Sequence, residues 1–140
     1  MLTMRLPFRG SDAWGDGAYQ APRGDKLHKG VDYACNPGSY ILSPCIGTVT
    51  KLGYPYGWVE NATNYRYVQI EDLIGNRHRV FYIEPLVYRG EVVTVLTSIG
   101  IAQDISTKYQ DPNLSPMTPH IHYEVLNNKG ETISPESFHV

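Results

Sequence analysis

The sequence predicts an all-β fold, a compact antiparallel β-sheet or sandwich domain, and three observations lead to it. Thirteen glycines and ten prolines in 140 residues indicate many turns and little long helix. Eleven tyrosines suit half-buried strands. No ten-residue window shows a helical hydrophobic stripe. A chain of this length ordinarily forms one domain, so we expect residues 1–140 to be a single domain, with an irregular N-terminal segment at 1–26 and a core at 27–126.

Short runs of β-branched and aromatic residues follow one another from Val31 onward, and turn residues separate them. The turn Asn36-Pro37-Gly38 divides the first two runs, and the turn "LIGN" divides the fourth from the fifth. Such regular short strands are typical of an antiparallel all-β domain. In chain order the predicted strands are VDYA (31–34), SYIL (39–42), IGTVTKL (46–52), YRYVQIED (65–72), RHRVFYIE (77–84), EVVTVL (91–96), SIGIAQ (98–103) and HIHYEVL (120–126).

The charge balance excludes some classes of partner. A net charge of −2 gives no long-range attraction to nucleic acid or anionic lipid. No stretch approaches the roughly 20 apolar residues that span a bilayer, so we expect no membrane insertion. The N-terminal "MLTMRLPFRG" has neither the apolar region nor the cleavage site of a signal peptide. We therefore expect a protein that is cytoplasmic until released, or that becomes virion-associated or extracellular by a non-classical route.

Cys35 and Cys45 lie ten residues apart. A disulfide between them is one possibility, but the composition favours two unpaired, partly buried thiols.

His120 and His122, in "PHIHYEV", are one residue apart on a predicted strand. Residues two apart on a strand point to the same face, so the two imidazoles should be neighbours. Such a pair can bind a metal or catalyse. It can also be a surface pair, or two neutral imidazoles hydrogen-bonded on a β-face.

A second cluster lies upstream in "HKGVD", where His28 and Asp32 flank Gly30. On a flat strand the two side chains would be ~13 Å apart, too far to share an ion. Gly30 can adopt backbone angles closed to other residues, so we expect a bend there that brings the two side chains together. The alternative is an exposed histidine followed by an aspartate at the end of a strand.

Together the two clusters predict a zinc site. A catalytic zinc commonly has three protein ligands and an open position for water, and His28, Asp32 and one histidine of the C-terminal pair supply such a set. A zinc ion held this way lowers the pKa of bound water and polarises a carbonyl oxygen. The remaining histidine of the pair is then placed to accept a proton from that water.

The motifs "HKGVD", "SPCIGTV" and "PHIHYEV" resemble, in order, those of the lysostaphin-type (LytM-like) zinc metalloendopeptidases. The resemblance covers about residues 10–126. It implies an antiparallel β-domain in which long loops wall an active-site groove, and hydrolysis of peptide bonds of bacterial peptidoglycan by zinc-activated water. It also implies that His28, Asp32 and His122 are the zinc ligands and that His120 is the catalytic histidine beside the metal.

One position departs from the family pattern. Members of the family usually carry a second catalytic histidine in a Y-x-H-L segment, and here the matching segment is "FYIEPLVYRGE", with Glu84 at the histidine position. Ionised Glu84 would repel a developing oxyanion, but it could act as a general base, or donate a hydrogen bond if burial kept it protonated. His78 lies ~20 Å upstream along an extended chain and is interpreted as an ordinary strand histidine.

A second resemblance favours an alternative function. "FYIEP", "GDGAYQAPR" and "VDYACNPGS" resemble segments of the leukocyte cell-derived chemotaxins, animal relatives of the same family. That resemblance implies a non-catalytic zinc-bearing module that binds cell-wall peptide or a protein partner. A small-molecule metalloenzyme of the cupin type also uses H-x-H on a strand, but its other ligands would lie downstream of the pair.

Four further residues near the motifs have open interpretations. Tyr54, Tyr56 and Trp58 lie in a long loop that either walls a groove or packs on a strand edge. Glu124, two residues after His122, either orients a zinc-bound imidazole or forms a cross-strand charge pair. His139, near the C-terminus, is expected to be exposed.

Overall fold

The computed structural model describes residues 6–23 and 26–135 of the chain, so His139 lies outside the described residues. The described part is built from β-strands, with one short 3₁₀ turn at Ile105–Thr107, and it confirms the predicted all-β fold class. The strands are β1 Ser11–Asp12, β2 Gly15–Asp16, β3 Pro22–Arg23, β4 Lys26–Leu27, β5 Val31–Ala34, β6 Tyr40–Leu42, β7 Gly47–Gly53, β8 Tyr67–Asp72, β9 Arg77–Phe81, β10 Ile83–Pro85, β11 Val92–Val93, β12 Ser98–Ala102, β13 His120–Leu126 and β14 Thr132–Ile133.

Seven strands form one antiparallel sheet, in the order β11-β7-β8-β9-β13-β14, with β5 also paired to β13. Strand β13 is therefore paired along both of its edges. His122 lies opposite Phe81 of β9 on one side and opposite Asp32 of β5 on the other. This pairing fixes β13 at the centre of the region in which the motif residues lie.

A second antiparallel sheet has three strands, in the order β10-β12-β6, and the hydrophobic core joins both sheets. Core residues come from β5 to β13, among them Ile41 of β6 and Ile99 of β12. On β13 the side chains of Ile121, Tyr123 and Val125 point into this core. Because alternate strand residues face opposite ways, His120, His122 and Glu124 share the other face of β13.

Three predicted segments differ most from the structure. The predicted strand 77–84 is divided into β9 and β10 at Tyr82, whose φ of 72° interrupts the extended backbone. The predicted strand 91–96 is reduced to the two residues of β11. The predicted irregular segment carries two small hairpin sheets, β1–β2 and β3–β4.

Cys35 and Cys45 are unpaired and partly buried, in agreement with the favoured interpretation. Burial raises the pKa of the Cys35 thiol to about 11 and that of Cys45 to about 12, so both thiols are protonated at neutral pH. Within the residues that the structure describes, there is no helix long and apolar enough to cross a membrane.

Candidate metal centre

The centre is built on the face of β13 that points away from the hydrophobic core. His120, His122 and Glu124 follow one another along this face, and all three are buried. Burial of so many polar groups requires partners for each of them. The partners come from β5, from the segment before it, and from the residues themselves.

Strand β5 and its entry segment bring His28 and Asp32 to this face. Asp32 lies directly opposite His122 in the β5–β13 register. The backbone carbonyl of His28 accepts a hydrogen bond from the N–H of Gln20, and the N–H of His28 donates one to the carbonyl oxygen of Ala21. The side chains meet as expected, with His28 Nε2 at 3.2 Å from Asp32 Oδ1.

Gly30 makes this approach possible for a reason that differs from the predicted one. The φ of Gly30 lies outside the left-handed region, so the backbone at this position does not need the angles that only glycine adopts. A Cβ at Gly30 would lie 2.2 Å from the carbonyl oxygen of Tyr123. The position needs glycine because the chain before β5 passes directly against β13.

Three potential ligand atoms converge at one point. His122 Nδ1 lies 2.9 Å from Asp32 Oδ1 and 2.9 Å from His28 Nε2. Together with His28 and Asp32, His122 forms a group whose ligand atoms all lie within 4.8 Å of one another. His120 Nε2 lies beside the group, 3.5 Å from Asp32 Oδ2.

Each imidazole is held by the nitrogen that faces away from this point. His28 donates through Nδ1 to the carbonyl oxygen of Ala18 at 2.9 Å. His120 donates through Nδ1 to the carbonyl oxygen of Thr118 at 2.8 Å. His122 donates through Nε2 to the Glu124 carboxylate at 2.9 Å.

The remaining nitrogens of these rings therefore point inward, and this arrangement fits a cation. With their outer nitrogens protonated, neutral His28 and His122 would direct two lone pairs at each other across 2.9 Å. In the metal-free protein a second proton on His122 relieves this repulsion. Burial opposes that proton, but hydrogen bonds to Asp32 and Glu124 outweigh it and raise the pKa of His122 to about 9. Two imidazoles and one carboxylate form a donor set that suits zinc, which would take the place of the proton.

Asp32 is fixed from its other side by Arg9, a residue that the sequence analysis did not identify. Arg9 Nη1 contacts Asp32 Oδ2 at 2.9 Å, and the same guanidinium forms two hydrogen bonds with Asp12. Burial alone would raise the pKa of Asp32, but hydrogen bonds from His122 and His28 hold it well below its usual range. The carboxylate therefore stays ionised, with Oδ1 directed at the two histidines.

A pocket of about 270 Å³ opens onto these residues. Aromatic side chains form part of its wall, and Trp14 packs against Tyr109 with ring centroids 5.8 Å apart. The pocket is lined by Arg9, Trp14, Arg23, His28, Asp32, Tyr82, Tyr109, Met117, His120 and His122.

Glu84 is not among these residues, which corrects the expectation that it lies at the centre. Its side chain is 60% exposed and its carboxylate lies 3.7 Å from Arg66 Nη1. The positive φ at Tyr82 turns the chain between β9 and β10, so that the tyrosine lines the pocket and Glu84 faces solvent. His78, as interpreted, is buried in the sheet, where it bonds Asp72 and the hydroxyl of Tyr123.

Arg9, Tyr82 and Tyr109 are parts of the site that the sequence pattern did not predict. Arg9 lies in a segment that carries no hydrophobic period, and its partner Asp32 is 23 residues away. Tyr82 was visible as the tyrosine of "FYIEP", but its orientation depends on a backbone turn that the residue pattern does not reveal. No feature of the sequence distinguishes Tyr109 from the other ten of the eleven tyrosines.

The chain is similar in sequence to two kinds of protein. It is 38% identical over 85 residues to leukocyte cell-derived chemotaxin-2 of Bos taurus, covering 61% of this chain and 54% of that protein. It is 30% identical over 113 residues to an uncharacterized metalloprotease of Haemophilus influenzae, covering 77% of this chain and 20% of that protein. The chain thus spans about half the length of the chemotaxin and a fifth of the metalloprotease.

A solved structure with the same fold is the catalytic domain of the antimicrobial peptidase lysostaphin from Staphylococcus simulans. The TM-score is 0.60 at 20% sequence identity, over 91% of this chain and 90% of that chain. No family model matches the sequence. The chain therefore has the lysostaphin-type fold, and its predicted resemblances to that fold and to the chemotaxins are confirmed.

Proposed function

We propose that the protein is a zinc metalloendopeptidase that hydrolyses peptide bonds of bacterial peptidoglycan, with His28, Asp32 and His122 as the zinc ligands. The observation that carries the proposal is the convergence of these three ligand atoms in a pocket that also contains His120. The lysostaphin-type fold and the similarity to a metalloprotease support the reaction class.

A zinc ion at this site would supply Lewis-acid chemistry, polarising the scissile carbonyl and lowering the pKa of a water molecule. The protein's own residues supply orientation and proton transfer. Glu124 and the carbonyl of Ala18 hold the rings of His122 and His28, and Arg9 holds Asp32. His120 is fixed through Nδ1, so its Nε2 is free to accept a proton from the attacking water and pass it to the leaving amine.

The substrate is proposed from the family resemblance together with the shape of the pocket. Lysostaphin, whose catalytic domain shares this fold, is described as an antimicrobial peptidase. The aromatic wall of Trp14, Tyr82 and Tyr109 offers flat apolar surfaces along which an extended peptide can lie. Peptidoglycan stems and cross-bridges are peptides of this extended kind.

A second candidate function is a non-catalytic zinc-bearing module that recognises cell-wall peptide or a protein partner. Two observations favour it: the similarity to leukocyte cell-derived chemotaxin-2, and the position of Glu84 outside the pocket. In this alternative the metal would organise the surface around His28 and His122, and the chain would bind peptide without cleaving it.

Two histidine substitutions separate metal binding from cleavage. We expect His122→Ala to abolish zinc binding, because it removes a ligand from the centre. We expect His120→Ala to retain zinc and to lose cleavage by ~10²–10⁴-fold, because it removes the proton acceptor. Zinc content measured by atomic absorption, and new amino groups released from purified peptidoglycan with and without chelator, check both results.

Glu71→Gln is the matched control, since Glu71 is exposed on β8 in the same sheet. It should change neither zinc content nor cleavage. If zinc-loaded wild-type protein releases no amino groups from peptidoglycans with diverse cross-bridges, the peptidase proposal fails and the binding module is favoured. If His122→Ala keeps a full complement of zinc, the assigned ligand set is wrong.

A further inference from the structure

Three tyrosine hydroxyls form a hydrogen-bonded chain at the wall of the pocket. The hydroxyl of Tyr56 lies 3.0 Å from that of Tyr82 and 2.9 Å from that of Tyr109. The three residues come from different parts of the chain: the β7–β8 loop, the turn between β9 and β10, and the segment after the 3₁₀ turn. Tyr82 and Tyr109 line the pocket that contains the candidate ligands.

A count of protons shows that this chain has one donor left over. Three hydroxyls carry three protons, and the two hydrogen bonds among them use two. Burial raises the pKa of Tyr56, Tyr82 and Tyr109, so all three protons are present at neutral pH. When Tyr109 donates to Tyr56 and Tyr56 donates to Tyr82, the free O–H is that of Tyr82, whereas the opposite direction leaves it on Tyr109.

Tyr82 is also the member of the chain that contacts the proposed proton acceptor. Its ring packs edge-on against the imidazole of His120, with centroids 5.8 Å apart. A peptide carbonyl that is attacked with the help of His120 must lie next to that imidazole. The same carbonyl therefore also lies close to the Tyr82 ring.

The surroundings hold the chain in a fixed geometry. Tyr65 packs edge-on against both Tyr56 and Tyr82, at 6.2 and 6.1 Å, and its own hydroxyl bonds Thr107. The ammonium of Lys108 lies 4.1 Å from the centroid of the Tyr56 ring. Donors that are fixed before the reaction stabilise developing charge without a cost of reorganisation, and hydrogen bonds in a chain strengthen one another.

We propose that Tyr82 is a catalytic residue that donates a hydrogen bond to the carbonyl oxygen of the scissile peptide as that oxygen gains negative charge. Tyr56 and Tyr109 are positioning residues that orient its hydroxyl. This assignment rests on the proposed peptidase function. It gives Tyr82 the role for which the sequence had offered only Glu84.

The test compares three tyrosine-to-phenylalanine variants, each of which removes one hydroxyl and keeps the ring. With zinc-loaded protein we expect Tyr82→Phe to lower kcat about 100-fold, the loss typical of one oxyanion donor, with little change in KM. We expect Tyr109→Phe to lower kcat less than 10-fold, since it removes only the support of the chain. Tyr88→Phe is the matched control, because Tyr88 is 70% exposed and does not line the pocket, and its kcat should stay within ~2-fold of wild type.

A binding measurement gives a readout that does not depend on turnover. A phosphinic analogue of the peptide bond cleaved by wild type mimics the charged tetrahedral oxygen. By calorimetry we expect Tyr82→Phe to bind it about 100-fold more weakly while zinc content stays at the wild-type value. The inference is overturned if wild type cleaves and Tyr82→Phe keeps its kcat, or if Tyr109→Phe is the more damaged variant. A wild type that cleaves no peptide refutes the peptidase proposal itself, and the assignment with it.

Discussion

At the scale of single residues, the candidate centre depends on hydrogen bonds made on the side of each imidazole that faces away from the ligand point. The clearest case is His122, which donates through Nε2 to Glu124 and thereby turns Nδ1 toward His28 and Asp32. A carboxylate in this position also makes the imidazole a stronger donor to a metal. The structure shows both arrangements that were considered for Glu124: Oε1 accepts the hydrogen bond from His122, and Oε2 lies 3.6 Å from Nη1 of Arg79, the residue opposite it on β9.

Glu124→Gln should weaken zinc binding about tenfold, because the amide can still accept the N–H of His122 but lacks the charge that raises the basicity of the ring. Competition with a chromophoric chelator measures the affinity. Glu71→Gln, on the exposed part of the neighbouring strand β8, serves as the control and should leave the affinity unchanged. An affinity of Glu124→Gln equal to that of wild type would show that Glu124 has no part in ligand orientation.

The sequence was sufficient to predict which histidines and which aspartate meet. The spacing of His120 and His122 predicted their shared strand face, and the family resemblance predicted that His28 and Asp32 join them. His28, Asp32, His120 and His122 were found in this way. Arg9 could not be found, since its role arises from a contact between distant parts of the chain. The catalytic role of Glu84 was inferred from its place at the histidine position of the family pattern, and that alignment does not reveal the turn at Tyr82 after which Glu84 is exposed.

At the scale of elements, the close passage of β5 against β13 brings the two motifs together. The pairing places Asp32 opposite His122, and the absence of a side chain at Gly30 lets the preceding segment approach the carbonyl of Tyr123. The strands themselves were predictable where β-branched and aromatic runs are bounded by turn residues, as in β5 and β13. The split between β9 and β10 was not, because "RHRVFYIE" carries no glycine or proline at the kink.

Gly30→Ala should destabilise the fold by about 2–3 kcal/mol, since the added Cβ must push the backbone of β13 aside. Urea unfolding followed by circular dichroism measures the loss. Gly38→Ala is a useful comparison, because nothing lies within 4 Å of its Cβ position and its cost is limited to a φ of +88°. We expect that variant to lose only about 1 kcal/mol. Equal losses in the two variants would show that the approach at Gly30 is not tight.

At the scale of the whole molecule, the candidate centre links parts of the chain that are far apart in sequence. His28 and His122 are 94 residues apart, and between them lie most of the strands of both sheets. A metal that bridges them would bind the folded chain and not the unfolded one. Its binding free energy therefore adds to the stability of the entire domain.

Zinc at a thousand times its dissociation constant should stabilise the domain by about 4 kcal/mol. For a chain of this size, that corresponds to a rise in Tm of about 14 °C. Calorimetry with zinc and with chelator measures the difference. His122→Ala should show no such difference, because it lacks one of the three ligands. A chelator-insensitive Tm in the wild-type protein would contradict the proposed centre.

The β5–β13 register has one more consequence. Shifting this pairing by one residue would turn Asp32 to the opposite face of the sheet, away from His122, because the pairing with β9 still holds β13 in place. A chain with such a slipped pairing could still be compact and rich in strands, but it could not assemble the three ligands. If the centre binds zinc as proposed, the fraction of a preparation that takes up zinc would measure the fraction of correctly paired molecules.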